Sequence, residues 1–176
     1  MSTDDPSGPA QTGPKRVTSG GEFPSDKQVK GYGDLAFLFL RSKLHAKLTG
    51  PQLLSSIQPA IDSGQFAVMR QDHIPRACIT WALLDARAEE RFLAGHPLTA
   101  PEWYSGDRLW IVDIVAPYAQ GTGGQMLTWF RDGLPEKHNT INALRPGRAG
   151  MARHFTATRM ANGRWGSRVQ ARQLTD

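Results

Sequence analysis

Residues 105–133, SGDRLWIVDIVAPYAQGTGGQMLTWFRDG, decide the fold. They read as a polar turn, a strand, a glycine-rich loop and a helix. Residues 109–115 form an apolar run rich in β-branched side chains, broken once by Asp113. Bounded by Gly106 and Pro117, such a run reads as a strand buried on both faces. Gln120, Gly121, Thr122, Gly123 and Gly124 supply the turn, and Met126, Leu127, Trp129 and Phe130 follow at helical spacing. A glycine-rich strand-to-helix loop lets backbone N–H groups approach an anion at the helix N-terminus; the same pattern also serves as a plain tight connection. A lone carboxylate in an apolar strand is costly unless it is paired or functional, or the strand is peripheral and the group solvated.

Downstream, residues 140–144 read as a strand; the segment from Arg148 is open, with a candidate strand over 154–158 followed by an irregular polar end. Upstream, residues 95–106 form a loop with two prolines and an exposed Trp103-Tyr104 pair, preceded by a short charged helix over 85–93. Residues 66–70 and 77–81 flank a polar turn and predict an antiparallel hairpin. Pro51 opens a helix with Leu53, Leu54, Ile57 and Ile61 on one face, stopped by Gly64. Asp34 is placed as the N-cap of a buried helix over 35–40 that turns polar across 41–45. Residues 1–30 are rich in Ser, Thr, Gly and Pro and predict a disordered tail before a folded domain over 31–176. The order helix, helix, hairpin, helix, strand, helix, strand favours an α+β fold over a doubly wound sheet.

The chain has 176 residues, 39% of them apolar, which suits one domain with a real core. No apolar stretch is long enough to cross a membrane as a helix, and the N-terminus lacks the pattern of a secretory signal. The single cysteine, Cys78, excludes an intrachain disulfide and any multi-cysteine metal site, so the expected compartment is the cytoplasm. The formal charge is +5, and seven arginines lie from Arg145 onward against one acid, Asp176. That density attracts phosphate groups, an acidic protein or nucleic acid. No zinc-finger, homeodomain or RNA-recognition signature accompanies it, which makes nucleic acid the weakest of the three.

The five histidines are His45, His73, His96, His138 and His154; none forms a metal-binding pair at close spacing, and no metal is expected. His73, His96 and His138 fall in polar loops, whereas His45 ends the most apolar helix. Cys78 reads as a small buried hydrophobe, there is no nucleophile elbow, and no serine has a distinctive surround.

Several segments together resemble the toxin-activating lysine acyltransferases of Gram-negative bacteria. They are Ser42-Lys43-Leu44-His45 after an apolar helix, Phe66-Ala67-Val68-Met69-Arg70 leading to Pro75, Cys78-Ile79-Thr80-Trp81-Ala82, then Trp103 and SGDRLWIVDIVAP. The resemblance runs from about Gly33 to Pro146. It implies a single-domain fold similar to the GNAT acetyltransferases, with a mixed, mostly antiparallel sheet flanked by helices. It implies transfer of a fatty acyl group from acyl carrier protein to internal lysines of an RTX protoxin, with no tightly bound cofactor. The family's essential histidine matches His45 and its essential aspartate matches Asp113. Residues 120–125, QGTGGQ, are close to the GNAT pyrophosphate loop but end on Gln125. Gly121, Thr122, Gly123 and Gly124 are therefore expected to hold the phosphate of the carrier's phosphopantetheine arm, with Arg108 and Arg145 as additional partners. A homodimer is compatible with this reading. The rival readings are a CoA-dependent N-acetyltransferase and a non-catalytic basic binding module.

Overall fold

The computed structural model describes residues 24–118, 120–147 and 149–174. Helices α1 (Asp26–Phe39) and α2 (Gly50–Asp62) precede the hairpin β1 (Phe66–Gln71) and β2 (Ile74–Leu84). Then come α3 (Ala86–Leu93), a 3-10 turn (Ala100–Trp103), β3 (Arg108–Val115), α4 (Thr122–Asp132), β4 (Thr140–Pro146), β5 (Met151–Arg159) and β6 (Trp165–Gln173). The strands form one sheet in chain order, antiparallel throughout except for the β3–β4 pair. The expected mixed, mostly antiparallel α+β sheet is therefore present.

Helix α1 starts earlier than the apolar run suggests. Ser25 Oγ accepts from the Gln28 amide and Gln28 Oε1 accepts from the Ser25 amide at 2.9 Å, a reciprocal cap that nucleates the polar first turn. Asp34 is not the cap; it is buried in mid-helix and ion-paired with Arg70 of β1. The tail expected over 1–30 thus overlaps α1 at its end, and residues 1–23 lie outside the described residues. The open segment after Arg148 is the β5–β6 hairpin, paired along its whole length from Met151↔Gln173 to Arg159↔Trp165. Trp103 is not exposed: at 2% accessibility it packs with Ala60, Ala82 and Trp110, whereas its neighbour Tyr104 is exposed.

Alternation along β2 sorts the core into two sides. Cys78, Ala82 and Leu84 face α1, α2 and α3, while Ala77 and Ile79 face α4. On β3, Trp110 and Val112 pack on the α1–α3 side, and Ile111 and Ile114 on the α4 side. Two irregularities prepare the site. A bulge shifts the β2–β3 register between Thr80↔Asp113 and Trp81↔Ile111, so Val112 has no partner. The parallel β3–β4 pairing covers only Trp110↔Asn142 and Ile111↔Ala143, and beyond it the two strands share no pairing and leave a notch.

Candidate active site

Strict alternation from Ile111 would turn Asp113 towards α4. The bulge at Val112 adds one residue, so Asp113 follows Thr80 onto the α1 side, beside the notch. There the chain leaving α1 folds into successive tight turns, with the amides of His45 and Ala46 donating to the Ser42 carbonyl at 3.0 and 2.8 Å. His45 lies beyond the Leu40 cap of α1, so its position is set by these turns and not by the helix end. Its ring packs on Phe39, centroids 4.5 Å apart, and Phe39 is anchored in the core with Leu35, Leu38, Ile57 and Val115.

His45 Nε2 and Asp113 Oδ1 are 3.2 Å apart, with the side chains 11% and 25% exposed. His45 Nδ1 and Ser42 Oγ are 3.0 Å apart. A carboxylate only accepts, so Nε2 carries the ring proton and donates it to Asp113. Nδ1 then holds the lone pair and accepts from the Ser42 hydroxyl. The result is a hydroxyl–imidazole–carboxylate relay with its basic nitrogen on the Ser42 side. Ser42 is the site residue that sequence reasoning overlooked; its signal is the i, i+3 spacing to His45, which a tight turn converts into contact. Cys78 lies beneath the site but takes no part. Burial, then the negative charge of Asp113, push its thiol up to about 12, so it stays protonated.

The model of the RTX toxin acyltransferase family matches residues 25–154. The chain belongs to that family. The match takes in both members of the His45–Asp113 pair and stops within β5. Among relatives, the chain is 33% identical over 115 residues to the RTX-I toxin-activating lysine-acyltransferase ApxIC of Actinobacillus pleuropneumoniae, 63% of this chain and 66% of that protein. It is 36% identical over 87 residues to the leukotoxin-activating lysine-acyltransferase LktC serotype A1 of Mannheimia haemolytica, 49% of this chain and 52% of that protein. It is 29% identical over 113 residues to the protein-lysine myristoyltransferase HlyC of Escherichia coli, 64% of this chain and 65% of that protein. The matched stretches thus span between 52% and 66% of these relatives' own lengths. In fold, the chain is similar to the loading GNATL domain of CurA from Lyngbya majuscula, with a TM-score of 0.50 at 13% identity, covering 68% of this chain and 62% of that one. The GNAT-like sheet is thereby shown.

The remaining expected site residues divide between the two ends of the sheet. Gly121 caps α4 with φ 87°, a left-handed conformation that glycine takes at no steric cost, and no side chain caps the helix there. Gly123 lies against Ile114 and Ala116, and Gly124 has open space where a side chain would stand, so Gly121, Thr122, Gly123 and Gly124 sit at the end of β3 that carries Asp113. Arg145 lies on the part of β4 beyond its pairing with β3, exposed and directly opposite Arg153 of β5. Arg108 does not join them. It begins β3, eight residues long and so about 25 Å at the usual rise, and it is ion-paired with Glu89 of α3. Glu89 also accepts from Trp110 Nε1 at 2.9 Å, which marks Arg108 as part of a structural cluster.

Proposed function

We propose that this protein is a protein-lysine acyltransferase that moves a fatty acyl group from acyl carrier protein to internal lysines of an RTX protoxin. The observation that carries the reading is the Ser42–His45–Asp113 relay beside the β3–β4 notch. The family match and relatives named as lysine acyltransferases, one of them a myristoyltransferase, support the acyl group and the acceptor class.

A lysine with a reference pKa near 10.4 is neutral in only about 0.04% of molecules at pH 7, so a base at the point of attack raises its reactivity. The amine displaces Ser42 from Nδ1, attacks the thioester carbonyl and passes its proton to Nδ1. Asp113 holds the imidazolium through Nε2–H. Collapse of the tetrahedral intermediate breaks the C–S bond, and the imidazolium returns the proton to the departing sulfur. The new amide is the acylated lysine. Backbone N–H groups of β3 and β4 left without partners in the notch supply donors for the oxyanion and for the amides of a pantetheine arm. The arm's phosphate lies at the uncapped start of α4, with Arg145 beside it. No step calls for a metal or a redox group.

The test is intact-mass analysis of a candidate protoxin incubated with enzyme and acyl carrier protein thioester. His45→Ala is expected to abolish the added acyl mass while the far-ultraviolet spectrum and Tm stay those of the wild type. Equal use of acyl-CoA would redirect the donor assignment; full transfer by His45→Ala would end the mechanism.

A further inference from the structure

We propose that the exposed turn over residues 40–47 is the docking surface for the acceptor, and that it selects lysines flanked by acidic side chains. The inference rests on the transferase reading above and adds the acceptor's chemistry. Leu44 is 77% exposed and Leu40 54%, an unusual exposure for leucines on either side of a catalytic turn. Between them and beyond, Arg41, Lys43 and Lys47 are also exposed, and among the described residues none has a carboxylate partner. The sequence holds no acid between Asp34 and Asp62. The patch continues past the turn: Arg41 lies 3.7 Å over the Phe37 ring, Phe37 lies 6.4 Å from Tyr118, and Arg76 lies 5.5 Å over Tyr118. Cations and apolar side chains thus alternate along this surface.

Such a surface repels a bare ammonium ion. A lysine reaches His45 only in a segment whose own carboxylates neutralise Arg41, Lys43 and Lys47 and whose apolar side chains cover Leu40 and Leu44. The proposed donor phosphate site, at the start of α4, is on the other face of the sheet. The two acidic partners then approach from opposite sides and meet at His45.

Two synthetic lysine peptides of equal length and apolar content, one flanked by Asp and Glu and the other by Arg, provide the test with acyl carrier protein thioester as donor. At low salt the wild type is expected to use the acidic peptide with a KM on the order of tenfold lower, an advantage that shrinks at high salt. Lys43→Glu with Lys47→Glu should invert the peptide preference and leave the donor KM unchanged. The neutral pair Lys43→Gln with Lys47→Gln should reduce the preference, and Arg168→Glu on β6 should alter nothing. Equal use of both peptides by the wild type overturns the inference alone, as does a charge-reversed variant that raises the donor KM and keeps the peptide preference. Failure to consume donor with any acceptor overturns the transferase reading first.

Discussion

Replacing Asp113 by asparagine keeps the volume of the side chain and removes its charge. The carboxylate accepts from His45 Nε2 at 3.2 Å, with His45 nearly buried and Asp113 a quarter exposed. A hydrogen bond to a charged group in such a setting contributes about 1.5–3 kcal/mol. At 1.36 kcal/mol per decade, losing it in the transition state lowers kcat by roughly 10- to 150-fold. The amide adds a second effect. If its NH2 donates to Nε2, the ring proton moves to Nδ1, and the nitrogen beside Ser42 can no longer take a proton from the amine. The expected loss is therefore at the upper end of that range. Stability should change by no more than about 1 kcal/mol, because a partly exposed isosteric change leaves the packing intact. Acyl-transfer kinetics with donor and acceptor varied separately, alongside thermal melting, give the answer: kcat falls and the donor KM holds. Adding His45→Ala to Asp113→Asn should cost little beyond His45→Ala alone, since the two act as a unit. An Asp113→Asn protein that keeps kcat within threefold of the wild type, or a double variant whose losses multiply, would refute the relay.

Other parts of the molecule yield further expectations. Cys78, fully buried and with its thiol pushed up to about 12, should resist thiol reagents at pH 8 until the protein unfolds, as labelling against denaturant would record. His154 stacks on Trp110 and its pKa is held below the ordinary 6.5 by burial first and Arg172 second. The fold therefore favours the neutral ring, so its stabilising effect is complete above pH 6.5 and declines as the pH falls below that value. His154→Gln should show a shallower fall in Tm between pH 7 and pH 5 than the wild type, since His138, lowered also by burial, is common to both. An added Cβ at Gly106 would stand 2.5 Å from the Leu84 carbonyl oxygen and the Asp85 amide, whereas one at Gly124 meets nothing within 4 Å. Gly106→Ala should destabilise by about 1–3 kcal/mol in chemical denaturation, and Gly124→Ala should not.

Much of the fold is legible in local sequence because neighbours in the chain decide it. The apolar run of β3, the glycines before α4, the β1–β2 hairpin and Asp85, whose side chain caps α3, all appear where residue spacing places them. The resemblance carried by Ser42 to His45 and by SGDRLWIVDIVAP identifies the histidine and the aspartate, and the structure brings them within hydrogen-bonding distance. Where composition was the only guide, the reading stopped short: α1 begins at a reciprocal Ser25–Gln28 cap inside a polar stretch, and β6 is an arginine-rich edge strand without an apolar alternation. What the chain alone determined is thus most of the elements and two of the residues able to do chemistry. Which of them meet is a property of the pairing between strands. One unpartnered residue, Val112, turns Asp113 from the α4 side to His45. The short β3–β4 register opens the notch, and the direction of β3 carries Arg108 away from the helix start that it was expected to serve. Those outcomes depend on backbone hydrogen bonds between segments about thirty positions apart, whose register no local pattern of side chains encodes.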